Sequence, residues 1–201
     1  MEEGSFMILI ICGLPGAGKS TLVEKLAEKH KLKTVFASSI LKDLKDKNAE
    51  TIDVTKTKKG EGWWESPAGK KYNQERLKNL QMDKQLDGKL LEIIGKKDNL
   101  IIDSRTMPWL AKKKGLVKIW IDASPSIRAK RVAERDDKDW KLLLIQMKER
   151  LETDKKIYKK LYGIEFGKDF KPFDVVLNTD KLDKQEVFEE VDKKIQRLIT
   201  K

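Results

Sequence analysis

Five residues, Gly13, Gly16, Gly18, Lys19 and Ser20, fall in CGLPGAGKST at the spacing G-x-x-x-x-G-K-[ST], directly after the apolar run FMILII. That spacing is built for phosphate chemistry. Glycines let successive backbone N–H groups curl round a phosphate, the lysine brings a cation to its outer oxygens, and the serine hydroxyl can ligate Mg²⁺. The whole loop, Gly13, Leu14, Pro15, Gly16, Ala17, Gly18, Lys19, Ser20 and Thr21, is the candidate nucleotide-phosphate site. A helix starting near Lys19 would add its positive end. Loops of this kind serve ATPases, GTPases and kinases alike, so the receiver of the phosphate must be read elsewhere.

A phosphoryl transferase needs a second set of cations. Arg128, Arg131 and Arg135 stand at i, i+3 and i+7, on one side of a helix. Two readings stand for them: a solvated basic face, or a clamp on polyphosphate. Arg150, just past the polar break DDKDW, favours the clamp, because it completes a helix–loop–helix flap. Such a flap would exclude water from the reacting phosphates. Arg105 follows the strand-like NLIID and points to the acceptor phosphate, which a planar guanidinium grips well. Asp103 ends the same run and is placed, with Ser20, at the Mg²⁺.

Three carboxylates sit on apolar helical faces. Asp154 lies in the stripe Met147, Leu151, Tyr158 and Leu161, while Asp83 and Asp87 share a face with Leu86, Leu90 and Ile94. Burying an unpaired charge is costly. These groups are therefore either internal ion pairs, such as Asp154 with Arg150, or acceptors for ribose hydroxyls or an exocyclic amino group. Cytosine and adenine carry such a group and uracil does not.

The elements that must position these residues alternate. Phe6–Cys12, Thr34–Ala37, Asn99–Asp103, Val117–Asp122 and Asp174–Asn178 read as strands. Helices are predicted over Lys19–His30, Ser39–Lys47, Met82–Ile94, Ser124–Arg135, Lys141–Tyr162 and Lys184–Ile199. Ser124 is expected to cap its helix, Pro125 to open it, and Gly163 to end the long one. This pattern predicts an α/β protein with a five-stranded parallel sheet covered by helices on both faces, in three layers. Ligands of such sheets lie at the carboxyl ends of the strands, where Gly13, Ser38, Asp103, Ser104, Arg105 and Asp122 fall. TKTKKGEGWWESPAGKKYNQERL reads as an insertion that is partly loop, with Trp63 and Trp64 packing onto the core or stacking on a base.

The 201 residues suit one domain. Lone Cys12 is a small core residue without redox work, and His30 takes a surface place at a helix end. The net charge of +11 comes mostly from dispersed lysines with acids interleaved, a solvated surface rather than a nucleic-acid stripe. No run approaches a membrane span, and the acidic MEEGS before FMILIIC does not read as a signal peptide. The expectation is a cytoplasmic monomer that binds small nucleotides, with no membrane and no obligatory nucleic-acid partner. NTDKLD, after the last strand, lacks the N-K-x-D base reader of GTPases.

The chain resembles the archaeal-type cytidylate kinases of the nucleoside monophosphate kinase family. GLPGAGKST, FASSILKDL, MDKQLDGKL, IIDSRTMPWL, KIWIDASPSIRAKRVAERD, KIYKKLYG and FDVVLNTDKL carry the resemblance, in order, over nearly the whole chain. It implies a P-loop NTPase fold and transfer of the ATP γ-phosphate to CMP or dCMP with Mg²⁺. It implies a monophosphate-binding insertion over about 38–97, with Ser38, Lys42, Asp83 and Asp87 facing the acceptor, and a lid over about 131–152. By the same resemblance Arg105 holds the acceptor phosphate, Arg131, Arg135 and Arg150 are lid arginines, and Asp154 touches the acceptor nucleoside. Arginine is common in the family where Lys42, Lys84 and Ile157 stand here. Two alternatives stay open: a kinase for AMP, UMP or another small acceptor, and a nucleotide-dependent RNA-binding or assembly factor.

Overall fold

In a computed structural model, which describes residues 7–40 and 67–200, all six residues of the strand Ile8–Gly13 (β1) are buried. A strand with no polar face belongs in the middle of a sheet covered on both sides. The other strands are Lys33–Phe36 (β2), Leu100–Asp103 (β3), Leu116–Asp122 (β4) and Val175–Asn178 (β5). Their order is β2-β3-β1-β4-β5, and every pairing is parallel. Ile8 lies opposite Leu100 on one side and Leu116 on the other, so the ends of β1, β3 and β4 finish near one edge. The predicted five-stranded α/β P-loop fold is borne out.

Helices Lys19–His30 (α1) and Lys184–Ile199 (α7) cover one face. Their Leu22, Val23, Leu26, Val191 and Ile195 pack on Leu9, Ile11, Ile101 and Ile119. The opposite face takes Pro67–Arg76 (α2), Gln81–Lys96 (α3), the short Met107–Leu110 (α4) and Trp140–Tyr162 (α6) in its neighbourhood. There Leu90, Ile93 and Ile94 of α3 meet Ile8, Ile10 and Ile102, and Ile157 and Tyr158 of α6 meet Cys12, Trp120 and Phe166. Alternate residues of β1 thus feed alternate layers, as the two-residue period of a strand requires. Pro125–Asp136 (α5) packs on α6 through Ala129, Val132, Leu143 and Met147.

Several ends form as expected and some do not. Gly163 closes α6 in a left-handed conformation at φ 71°. Pro125 opens α5, but the Ser124 side chain makes no capping bond; its backbone N–H donates to Asp180 Oδ1 at 2.6 Å instead. Asp139 caps α6 by accepting from the Leu142 N–H, and Asp183 and Glu186 form a reciprocal capping box on α7. His30 is not a surface group. Its ring is 9% exposed and pairs with Asp192 Oδ1 of α7 at 2.7 Å, pinning α1 to α7. Helices α2 and α4 are additions to the sequence reading. Of the helix expected over Ser39–Lys47, residues 37–40 are helical and the remainder lies outside the described residues, as do Lys42, Trp63 and Trp64. Among the described residues no helix is long and apolar enough to cross a membrane.

Candidate active site

The glycine loop links β1 to α1 under tight steric limits. Gly13 has φ +146°, and a Cβ there would lie 1.9 Å from the Ile121 carbonyl oxygen of β4. Gly16 has φ +79°, and a Cβ there would meet the Arg128 carbonyl oxygen at 2.5 Å. Only glycine satisfies both the backbone angle and the close approach. Arg128 buttresses the loop from behind. Its Nε donates to Ala123 O at 2.8 Å and its guanidinium to Pro15 O at 3.2 Å, and it pairs with Asp122 at 3.3 Å. Lys19 Nζ donates to Leu14 O at 3.0 Å. Burial lowers the Lys19 pKa, against the pull of the Asp103 carboxylate. The first turn of α1 has left-handed Gly18 at its cap and no side-chain partner, so its N–H groups are available to an anion.

One cleft runs from this loop to the opposite side of the sheet edge. Pro15, Gly16, Lys19 and Ser20 line one part, and Ser38, Asp83, Asp87, Arg105 and Thr106 another, with Arg135 and Arg150 over it. Asp103 lies between, at the end of β3; burial raises its pKa, opposed by Lys19, Arg105 and Arg150.

A buried ionic hub underlies the Arg105 side of the cleft. Asp154 is 1% exposed. One oxygen takes a bond from Arg76 at 2.7 Å; the other takes one from Arg105 and lies 3.9 Å from Arg150 Nε. Burial alone would raise the Asp154 pKa, but Arg105, Arg76 and Arg150 outweigh it and hold the carboxyl below the usual range. Arg76, 3% exposed, also grips both oxygens of Asp83, through Nε at 3.2 Å and its terminal nitrogen at 2.6 Å. Through these bonds Arg76 ties α2, α3 and α6 together.

The structure sorts the expected site residues. It brings Lys19, Ser20, Ser38, Asp83, Asp87, Asp103, Arg105, Arg135 and Arg150 to one cleft. Asp154 lies behind the lining, with both oxygens engaged by guanidiniums. Arg131 points elsewhere: it donates to Thr179 Oγ1 at 2.9 Å and to the carbonyls of Thr179 and Leu182, anchoring α5 to the loop after β5. Of the arginine trio on α5, one buttresses the loop, one anchors the helix, and Arg135 faces the cleft while chelating Asp136. Cys12 donates to the Arg105 carbonyl oxygen, and burial pushes its thiol up, so it is a core residue. Ile157, where the resemblance suggested arginine, is buried among Trp120, Tyr158 and Phe166.

Arg76 is the residue that sequence reasoning missed. Three carboxylates on apolar faces demanded a buried cation, but Arg76 stood in a stretch read as part loop. Thr106 and Tyr162 were missed as well; both donate to Asp87, at 2.5 and 2.7 Å.

Ser20 and Asp103 line the same cleft, and a hydroxyl and a carboxylate are oxygen donors of the kind that would hold Mg²⁺ there. Among the described residues no group of three or more His, Cys, Asp or Glu is arranged to cage a metal, and this metal chemistry does not require one.

An AAA-domain family model matches residues 9–163, from β1 to the end of α6. The cytidylate kinase of Methanococcus vannielii is 32% identical over 192 residues, covering 94% of this chain and 99% of that protein. The chain belongs to the archaeal cytidylate kinase family. Another member, the cytidylate kinase of Sulfurisphaera tokodaii, is 30% identical over 181 residues, 90% of this chain and 91% of its own. Among solved structures, an uncharacterised protein of Eubacterium ventriosum superposes with a TM-score of 0.66 at 18% identity, over 94% of this chain and 98% of that one. A shikimate kinase of Bacteroides thetaiotaomicron gives 0.57 at 15% identity, over 98% and 99%. These two likenesses speak for the fold alone.

Proposed function

We propose that the protein is a nucleoside monophosphate kinase that transfers the γ-phosphoryl group of ATP to CMP or dCMP, releasing ADP and the nucleoside diphosphate. The observation that carries this reading is the single cleft with an anion site at each side: the glycine loop with Lys19, and Arg105 held beside Arg76 and Arg150. The names of its relatives support the choice of CMP.

In the reaction an oxygen of the acceptor phosphate forms a bond to the γ-phosphorus while the bond from that phosphorus to the bridging oxygen of ADP breaks. The acceptor oxygen is already a nucleophile, so the site needs no strong base. Positioning and charge neutralisation supply the rate. Lys19 and the loop amides hold the donor phosphates, Arg105 orients the acceptor, and Arg135 and Arg150 meet the transferring group. Mg²⁺ arriving with ATP, held through Ser20 and Asp103, would neutralise developing charge. We assign lid motion to about 131–152 and acceptor binding to the 38–97 insertion. Each chain carries both sites, which supports a monomer as the working unit, in the cytoplasm where ATP is available.

The test is a coupled ADP-release assay with ATP, Mg²⁺ and a panel of CMP, dCMP, UMP and AMP. The reading expects turnover that depends on the acceptor and is fastest with the cytidine nucleotides. Turnover of none of them would end it.

A further inference from the structure

Among the described residues three carboxylates line the cleft: Asp83, Asp87 and Asp103. Asp83 is committed to Arg76 through both oxygens. Asp103 stands at the phosphate side, where its charged neighbours are Lys19, Arg105 and Arg150. Asp87 is of another kind. It is 4% exposed, and its bonds come from neutral hydroxyls, Thr106 on Oδ1 at 2.5 Å and Tyr162 on Oδ2 at 2.7 Å. Each carboxylate oxygen has two lone pairs, so each keeps acceptor capacity after one hydroxyl has bound. Both hydroxyls spend their hydrogens on bonds to Asp87, so what the ionised group still offers a ligand is acceptor capacity alone. Phe36 and Leu86 line the same cleft and supply apolar surface for a flat ring. Thr106 directly follows Arg105, so one turn of chain serves both the phosphate grip and this carboxylate.

We infer that Asp87 is the base-discriminating residue of the acceptor site: its carboxylate accepts from the exocyclic amino group of the acceptor base and repels a carbonyl in that place. This rests on reading the cleft as a monophosphate site. Asp83 and Asp154, spent on arginines, position cations instead.

The charged and titratable groups facing Asp87 are Asp83 on its own helix, Arg76 from α2 and Tyr162 from α6. Burial raises its pKa to about 6, with the Thr106 and Tyr162 bonds pulling the other way. Above that pH the group is an acceptor and excludes uracil. Below it the protonated carboxyl can donate to a carbonyl, so discrimination must fall as pH falls.

The experiment compares kcat/KM for CMP, UMP and AMP in the wild type, Asp87→Asn and Tyr162→Phe, at about pH 5 and about pH 8. An amide both donates and accepts, so Asp87→Asn is expected to cut the CMP:UMP ratio by roughly 10- to 100-fold at the higher pH and to make it insensitive to pH, as loss of a hydrogen bond to a charged group implies. The KM for ATP should stay put. Tyr162→Phe removes a bond that favours the ionised form, so the pH at which discrimination is lost should move upward. That variant decides the matter if Asp87→Asn does not fold. CMP and UMP falling in parallel in Asp87→Asn, or an unmoved midpoint in Tyr162→Phe, overturns the assignment while leaving the kinase reading standing. A wild type that prefers AMP, with that preference over UMP lost in Asp87→Asn, retains the assignment and overturns only the choice of cytosine. A wild type that prefers UMP overturns it outright.

Discussion

Lys19, in the lining of the cleft, and Asp154, buried behind it, show how differently two charges work at one site. In the proposed reaction Lys19 holds the donor phosphates, so Lys19→Ala is expected to lower kcat by at least about 100-fold, by analogy with removing one electrostatic donor from a transition state. Steady-state assays at saturating ATP check this, and near-normal kcat would refute the loop assignment. Asp154 works through its partners. Asp154→Ala leaves Arg76, Arg105 and Arg150 crowded round a lost carboxylate. Breaking a buried ion pair in this way costs about 3–5 kcal/mol. The KM for monophosphate should rise far more than that for ATP, because Arg105 and Arg76 lose their fixed orientation while the glycine loop keeps its own supports. Equal effects on both substrates would make Asp154 purely structural.

At the scale of elements, the glycine loop depends on the start of α5 for its shape. Gly16→Ala places a methyl 2.5 Å from the Arg128 carbonyl oxygen, at a φ that costs an L-residue roughly 1–2 kcal/mol before the clash is counted. The loop must shift or α5 must retreat. The expected result is a lower Tm together with a raised KM for ATP, measured by thermal melts and kinetics on one preparation. Gly163→Ala offers a contrast. It has a similar positive φ, 71°, but open space around its Cβ, so it should cost stability without touching ATP binding. The helices α5 and α6 meet in the small apolar seam of Ala129, Val132, Leu143 and Met147, while Arg135 and Arg150 line the cleft.

For the whole molecule, two buried carboxylates give stability opposite slopes with pH. The folded-state pKa of Asp154 lies below its unfolded value of about 4, so its contribution is present above that pH and is lost as pH falls through the folded value. Asp87 has a folded pKa of about 6, above its unfolded value, so the folded chain holds a proton that the unfolded chain has released, and stability declines as pH rises between about 4 and 6. Denaturant melts extended below about pH 4 should show a steep acid limb that Asp154→Asn removes. A shallower decline toward pH 6 should be absent in Asp87→Asn.

The amino-acid sequence alone determined the fold and the place of the glycine loop between strand and helix. Apolar runs such as ILII and IWI, alternating with amphipathic segments, leave a covered parallel sheet as their stable arrangement, and the glycine spacing needs only a strand before it and a helix after it. Those signals are local, because strand, loop and helix are continuous in the chain. The other half of the cleft was legible as residue types but not as partnerships. The sequence pattern placed Arg128, Arg131 and Arg135 on one side of a helix, yet the tertiary structure turned them to three tasks, because the neighbours deciding each one come from the loop after β1, the loop after β5 and the open cleft. Likewise Asp83, Asp87 and Asp154 looked alike in the chain. Only packing brought Arg76 from another helix to two of them and left the third with hydroxyls, since which charges are paired in a buried site depends on contacts 7 to 78 residues apart.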